Sequence, residues 1–103
     1  MSDVDLRKGL TAVEQTFVAT RDPELVWRPL DDELVIVRPA DGQIRVLNGV
    51  GSFIWQLLDG QRAVCNLAEM VADEYQVSPG EAELDIGAFL GELADDGLVK
   101  WTI

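Results

Sequence analysis

The sequence predicts an α+β fold of the winged helix-turn-helix type, in which a three-stranded antiparallel sheet is followed by three helices. Two observations lead to this prediction. Short β-rich runs alternate with turn signals as far as Leu47, and from Val50 onwards the apolar residues recur at helical spacing. At 103 residues the chain has the length of a single domain.

The strands are predicted from three runs of β-branched, aromatic and other apolar residues. They are Leu25–Arg28, Leu34–Arg38 and Gln43–Leu47. Residues 29–32 and 39–42 separate them and contain proline, aspartate and glycine. Because proline fixes φ and an Asp-Gly pair accepts positive φ, both segments favour tight turns. Three strands joined in this way form an antiparallel meander.

The first two helices are predicted from apolar residues at the spacing i, i+3, i+4 and i+7. Asn48 is expected to be the N-cap of the first helix, and Gly60 is expected to close it. The apolar face of the first helix consists of Val50, Phe53, Ile54, Leu57 and Leu58. The apolar face of the second helix consists of Val64, Leu67, Ala68, Val71 and Tyr75.

The third helix is predicted from a capping box. Ser78 provides the N-cap, Pro79 occupies the first helical position, and Glu81 reaches back to the N-cap. Gly97 ends the helix before a short terminal strand, Leu98–Thr102. The core stripe of the helix consists of Ala82, Ile86, Phe89, Leu90 and Leu93.

Residues 1–22 precede this pattern and show only a loose apolar spacing, which Gly9 interrupts. We expect them to form an N-terminal extension that is helical or disordered, and we expect the main domain to span residues 23–103. The extension either covers a strand edge, mediates dimerisation or has no structure. The sequence leaves these alternatives open.

The charge of the chain argues against a nucleic-acid partner. The formal charge is −11, and residues 49–103, which contain the predicted helices, account for −8 of it. Arg62 and Lys100 are the basic residues of that part. Because Lys and Arg on phosphates supply most non-specific affinity for DNA, a winged-helix DNA-binding regulator is the disfavoured alternative. A basic peptide or a basic protein surface is attracted instead.

The residue content also disfavours catalysis and metal binding. The chain has no histidine, the commonest general base and metal ligand, and a single cysteine, Cys65. A lone cysteine forms no intramolecular disulfide, and no histidine is present to activate it as a nucleophile. The acidic residues of the helices lack EF-hand spacing and are typical of a solvated face. We expect no enzyme activity, no metal and no cofactor.

Two glycines lie inside the predicted third helix, where each costs about 1 kcal/mol relative to alanine. Together with Leu84 and Ala88, Gly87 and Gly91 define a shallow face of small residues. Such a face either packs closely on the sheet or admits the backbone of another chain. The sequence alone does not choose between the two.

Two sequence blocks, in this order and spacing, resemble the PqqD family. The first, LN-x-x-G-x-x-I-W-x-L-L-D-G, covers residues 47–60, and the second, D-x-x-x-F-L-x-x-L-x-x-x-G-L, covers residues 85–98. A β-rich run, Leu34–Val37, precedes them. The resemblance extends over about residues 23–100.

The resemblance implies a peptide chaperone, or RiPP recognition element, which holds the leader of a ribosomally made precursor peptide and presents it to a modifying enzyme. That enzyme is often a radical SAM protein, and PQQ biosynthesis is one such pathway. In the family, the leader adds as an extra strand beside the last strand of the meander, in a groove walled by the third helix. Carried onto this chain, the strand edge consists of Ile44, Arg45, Val46 and Leu47. The helix wall consists of Leu84, Asp85, Ala88, Phe89 and Glu92.

Physical chemistry independently favours a binding site at a strand edge. Such an edge displays unpaired N–H and C=O groups that can pair with an extended peptide. The same groups can pair with a second copy of the chain, so a homodimer formed by strand or segment exchange is a further expectation. In the wall, Asp85 and Glu92 favour a basic or amide-rich ligand segment.

The chain departs from the family at two places. The family usually has Thr where this chain has Ala63, so the second helix lacks an N-cap worth about 1 kcal/mol. The family also lacks much of residues 1–22.

We therefore expect a cytoplasmic peptide chaperone whose partners are a precursor leader and a modifying enzyme. The longest apolar runs are too short to span a membrane, and the N-terminus lacks the basic and then apolar pattern of a targeting segment. A membrane or nucleic-acid partner is not expected.

Overall fold

The computed structural model describes residues 14–102 of the chain. Within this part, the elements are a 3₁₀ turn (Glu14–Thr16), β1 (Val18–Arg21), β2 (Val26–Leu30), β3 (Glu33–Arg38), β4 (Gln43–Asn48), α1 (Val50–Leu57), α2 (Val64–Tyr75), α3 (Pro79–Asp95) and β5 (Val99–Thr102). The predicted α+β fold, with a three-stranded antiparallel sheet followed by three helices, is confirmed. None of the helices in residues 14–102 has the length and apolar character required to cross a membrane.

Strands β2, β3 and β4 form the predicted antiparallel meander, in that order. The turn between β3 and β4 uses Gly42 at φ 73°, and the N–H of Gly42 donates to the carbonyl of Arg38 at 2.8 Å. The turn between β2 and β3 uses Asp31 at φ 55°. Positive φ is unstrained for glycine and tolerated by aspartate, which explains these residue types at the two turns.

A second, two-stranded sheet pairs β1 with β5 in antiparallel orientation, with Val18 opposite Thr102 and Arg21 opposite Val99. Strand β1 lies within residues 1–22, for which the sequence predicted a helical or disordered extension, so residues 18–21 correct that expectation. Four residues give a weak local pattern, and β1 depends on β5, a partner strand about 80 residues later in the sequence. Residues 1–13 lie outside the described part of the chain.

Helix α1 begins one residue later than the sequence predicted. Its N-cap is Gly49, at φ 52°, whereas Asn48 is the last residue of β4 and pairs with Glu33. Gly49 occupies the cap for a steric reason. The chain passes from strand to helix at a single residue, and the positive φ adopted there is unstrained for glycine.

Helices α2 and α3 have different N-caps. At α3, Ser78 Oγ accepts a hydrogen bond from the N–H of Glu81 at 3.2 Å, as predicted. The second half of the predicted capping box, from the N–H of Ser78 to the Glu81 carboxylate, is not formed within residues 14–102. At α2, Ala63 occupies the N-cap and offers no side-chain acceptor, while Asn66 Oδ1 accepts from the N–H of Ala63 at 3.0 Å.

The turn between α1 and α2 explains the Asp-Gly pair of the first sequence block. Asp59 Oδ1 accepts hydrogen bonds from the N–H groups of Gln61 and Arg62, both at 2.9 Å. Gly60 adopts φ 80°. The bond from Gln61, then the bond and the positive charge of Arg62, hold the pKa of Asp59 below its ordinary value.

The helices cover one face of the meander and enclose the core. Trp55 is fully buried and meets Trp27 edge to face, with ring centroids 6.3 Å apart. The guanidinium of Arg21 lies 4.9 Å from the centre of the Trp27 ring and donates to the carbonyl of Trp55 at 3.0 Å. Burial lowers the pKa of Arg21. Other fully buried side chains are Leu34, Ile36, Ile54, Leu58, Leu67, Ile86, Leu90 and Leu93.

Candidate functional site

Strand β4 has a free edge. It pairs with β3 on one side, and within residues 14–102 no other strand pairs with it. The opposite edge of the sheet belongs to β2, which contains Pro29 and so lacks one backbone donor. β4 contains no proline, and its unpaired N–H and C=O groups are available to an added strand.

The side chains of β4 alternate between the two faces of the sheet. Ile44 and Val46 point away from the helices and are 63% and 52% exposed. Arg45 and Leu47 point towards the helices, where Leu47 is buried. Of the four predicted edge residues, these two therefore border the space between β4 and α3, and all four contribute backbone to the edge.

Phe89 is the apolar part of the opposite wall. Its ring packs against the start of α1, so that a Cβ built at Gly51 would lie 3.3 Å from Phe89 Cε1 and 3.7 Å from the Cβ of Leu47. Phe89 is partly buried and packs on the core. Gly51 thus lets a helix, an aromatic ring and the end of β4 meet at one point.

Ionic contacts close one end of the groove between β4 and α3. Arg45 forms an ion pair with Asp96 and lies 3.8 Å from a carboxylate oxygen of Glu92. Arg38 donates to the carbonyl oxygen of Asp96 and, at 2.9 Å, to the side chain of Gln43. These bonds link β4 and the end of β3 to the C-terminal end of α3. The predicted wall residue Glu92 is therefore already paired in part.

Asp85 is the free carboxylate of the wall. It lies four residues before Phe89, which places both on the same side of α3. Asp85 is exposed and forms no hydrogen bond or ion pair with residues 14–102. A ligand cation or N–H group at this place would gain a charge-assisted hydrogen bond without breaking an existing contact.

Leu84 and Ala88 occupy a more outward position. Both are exposed, and the helical repeat turns Leu84 well away from Phe89. Leu84 belongs to the face that also contains Gly91, where a built Cβ would meet nothing within 4 Å. Contact between these two residues and a ligand stays a prediction.

A pocket of about 520 Å³ opens beyond the C-terminal end of β4. Its aromatic side is the edge-to-face pair of Phe53 and Tyr75, with centroids 5.5 Å apart. Its polar lining includes Asp31, Asp32, Glu33, Asn48 and Gln56. A strand running antiparallel to β4 would begin on this side, so an acidic pocket lies beside the N-terminal part of such a ligand.

Three residues of the site were not predicted from sequence. Gly51 stands in the first family block, and its position next to a predicted strand end was a usable signal. Arg38 and Asp96 gave no signal in the sequence, because Asp96 is 58 residues from Arg38 and 51 residues from Arg45. Such distant pairs become visible only in the folded chain.

An open strand edge beside a helix with an apolar side chain and a carboxylate is the arrangement found in small domains that bind extended peptides by strand addition. The chain belongs to the PqqD family: the model of that family, described as coenzyme PQQ synthesis protein D, matches residues 33–99. The matched range contains β3, β4, all three helices and hence the whole groove.

Two solved structures are similar to this chain. One is TbiB1 in complex with the TbiA(beta) leader peptide, with a TM-score of 0.73 and 30% identity, covering 79% of this chain and 94% of TbiB1. The other is a lasso peptide synthetase B1 complexed with the leader peptide, with a TM-score of 0.71 and 29% identity, covering 80% of this chain and 96% of that protein. No curated protein matches the chain.

Proposed function

We propose that this protein is a non-catalytic peptide chaperone that binds the leader segment of a ribosomally synthesised precursor peptide and presents it to a modifying enzyme. The observation that carries the proposal is the open edge of β4 beside α3. Membership of the PqqD family and similarity to two structures that contain leader peptides support it.

The leader binds as a fourth strand on β4. Backbone hydrogen bonds to β4 supply affinity in a form that tolerates many sequences, and the wall supplies selectivity. Phe89 offers an apolar contact, and Asp85 offers a carboxylate that pairs with no group in residues 14–102. We therefore expect a leader with an apolar side chain near Phe89 and a basic or amide side chain near Asp85.

The chemistry on the precursor belongs to a partner enzyme. This chain has no histidine and has a single, partly buried cysteine, so it offers few groups for acid, base or nucleophilic catalysis. A radical SAM enzyme is the partner that we propose, in PQQ or other peptide-modification pathways. The proposal places the complex in the cytoplasm, where the precursor is synthesised.

The same edge offers a second use, because β4 can pair with another copy of the chain. We propose that this pairing competes with leader binding and gives a dimer at high protein concentration. Light scattering over a concentration series checks it. A monomer at every concentration would leave the leader as the one occupant of the edge. No observation favours a DNA-binding regulator.

Titration calorimetry with the cognate leader tests the wall. Asp85→Ala should weaken binding by about 1–3 kcal/mol, because a charge-assisted hydrogen bond is lost. Asp95→Ala is the matched control, since Asp95 is an exposed carboxylate at the end of the same helix. If both variants bind as tightly as the parent, Asp85 has no role in recognition.

Proline substitution tests the strand edge. Alternate residues of β4 direct their N–H groups outward, so Val46→Pro is run beside Arg45→Pro and Leu47→Pro. A variant that removes an outward N–H should retain the fold, as judged by circular dichroism, and lose leader affinity. If every folded variant binds like the parent, the leader does not pair with β4.

A further inference from the structure

The side of the meander that faces away from the helices is an ordered surface of nine side chains, here called the outer face. The strand registers arrange it in three cross-strand rows. The rows are Val26, Val37 and Ile44; Arg28, Val35 and Val46; and Leu30, Glu33 and Asn48. Six of the nine side chains are aliphatic, on the side of the sheet opposite the core.

The outer face contains most of the exposed large hydrophobic residues in the described part of the chain. Six such residues are exposed, and four of them lie on this face. They are Val26, Leu30, Ile44 and Val46, each between 49% and 63% exposed. Of the other two, Tyr75 packs against Phe53 and Leu84 lies on α3. Contiguous apolar surface of this kind marks a protein interaction site in a soluble chain.

Arg28 lies in the middle row and places a positive charge on the outer face. It is exposed and forms no hydrogen bond or ion pair with residues 14–102. The chain as a whole carries −11, so a cation on an apolar face is unlike the rest of the surface. A partner that covers this face has to offer apolar side chains and a carboxylate opposite Arg28.

We infer that the outer face is the docking surface for the enzyme that modifies the bound precursor, an inference that rests on the proposed leader binding. A peptide strand added to β4 extends the sheet, and every second side chain of that strand then lies on the outer face beside Ile44 and Val46. A protein on this face contacts β2, β3, β4 and the leader at once. The enzyme would thus distinguish the loaded chaperone from the empty one.

A second copy of the chain fits this face less well. Each copy brings a net charge of −11, and this charge repulsion opposes face-to-face pairing of two copies. The face itself is small, since three strands at about 4.8 Å spacing and three rows span less than the roughly 800 Å² that each partner of a standard interface buries, so a partner of any kind has to contact more than this face. An enzyme that binds the loaded chaperone also buries the leader strand beside this face. A second copy that binds the empty chaperone gains no such area.

Site-specific photocrosslinking in cells that make the precursor tests the identity of the occupant. A photoreactive phenylalanine replaces Val26 on the outer face, and the control replaces Glu69, which is exposed on α2 outside the outer face and the groove. The expected crosslink at position 26 is to a protein that, once purified, modifies the precursor in the presence of this chaperone. A crosslink to a second copy, to a protein without that activity, or to nothing overturns the inference.

Purified components separate this inference from the proposed function. The variant Val26→Thr/Arg28→Glu alters β2, two strands away from the leader edge. It should bind the leader within about twofold of the parent but lower the rate of precursor modification by about tenfold or more. Glu69→Gln, at an exposed position of α2 outside both the groove and the outer face, should change neither. If modification proceeds at the parental rate, the outer face is not the docking surface; if the parent itself fails to bind the leader, the proposed function fails instead.

Discussion

The ring of Phe89 in α3 lies against the backbone of Gly51 in α1, so closely that a Cβ at Gly51 would be 3.3 Å from Phe89 Cε1. One side of the ring therefore touches α1, near the point where β4 ends. The position of the apolar wall of the groove depends on the absence of a side chain at residue 51.

Gly51→Ala should displace the Phe89 ring, because the contact is tighter than an ordinary van der Waals contact. Phe89 is only partly buried and can move, so we expect a change in unfolding free energy of less than about 1 kcal/mol. Leader affinity should fall, since the ring moves towards the groove. Thermal unfolding and calorimetry measure the two effects.

Gly91→Ala provides the matched control in α3. A Cβ there meets nothing within 4 Å, so the substitution should stabilise the helix by about 0.5–1 kcal/mol and leave leader affinity unchanged. If Gly51→Ala and Gly91→Ala lose leader affinity equally, the contact between residue 51 and the Phe89 ring does not explain the loss.

Arg45→Gln should loosen the ionic end of the groove. The pairs with Asp96 and Glu92 are partly exposed, so unfolding free energy should fall by less than about 1 kcal/mol. Leader affinity should fall as well, because β4 and α3 are then less firmly held for the ligand. A double-mutant cycle with Asp96→Asn should show coupling that decreases in high salt. Additive effects would mean that the pair contributes nothing.

Ala63→Ser should stabilise the protein by about 0.5–2 kcal/mol, since the residue has N-cap geometry and lacks an acceptor. Its backbone already adopts the extended conformation of an N-cap, at φ −81° and ψ 167°. Chemical denaturation measures the gain. Ala40→Ser, at an exposed position of the β3–β4 turn, is the control and should have little effect. An Ala63→Ser variant no more stable than the parent would contradict this account of the cap.

Asp59→Ala should destabilise the protein at pH 7 and have less effect in acid. The pKa of Asp59 is held below its ordinary value of 3.8, chiefly by the N–H groups of Gln61 and Arg62. The ionised carboxylate therefore stabilises the fold above that value, and the contribution is lost as pH falls through the lowered pKa. Thermal unfolding of both proteins at pH 7 and in acid checks this, and a difference that does not shrink in acid would contradict it.

The sequence predicted the local features of the fold better than the distant ones. The meander and the three helices follow from turn residues and apolar spacing, which act over a few positions. Strand β1 was not predicted, because Val18–Arg21 is short and its partner β5 lies at the other end of the domain. Gly49 rather than Asn48 caps α1, because the backbone angle at the strand end decides the cap more than side-chain preference does.

In the candidate site, too, local features could be predicted from the sequence and contacts between distant residues could not. The open edge of β4 followed from the family resemblance together with the meander, and Phe89 belongs to a block readable in the sequence. The pairing of Arg45 with Asp96 joins residues 51 positions apart, so no local sequence pattern predicts it. Arg45 also lies 3.8 Å from Glu92, so Asp85 is the wall carboxylate that has no partner within residues 14–102.

Amide hydrogen exchange along β4, with and without the cognate leader, tests strand addition most directly. If the leader adds as a strand, alternate amides among Ile44–Leu47 exchange in the free protein and become protected when the leader binds, while Pro29 keeps the β2 edge from gaining a continuous ladder. Saturating leader that binds without protecting any amide of β4 would contradict the account.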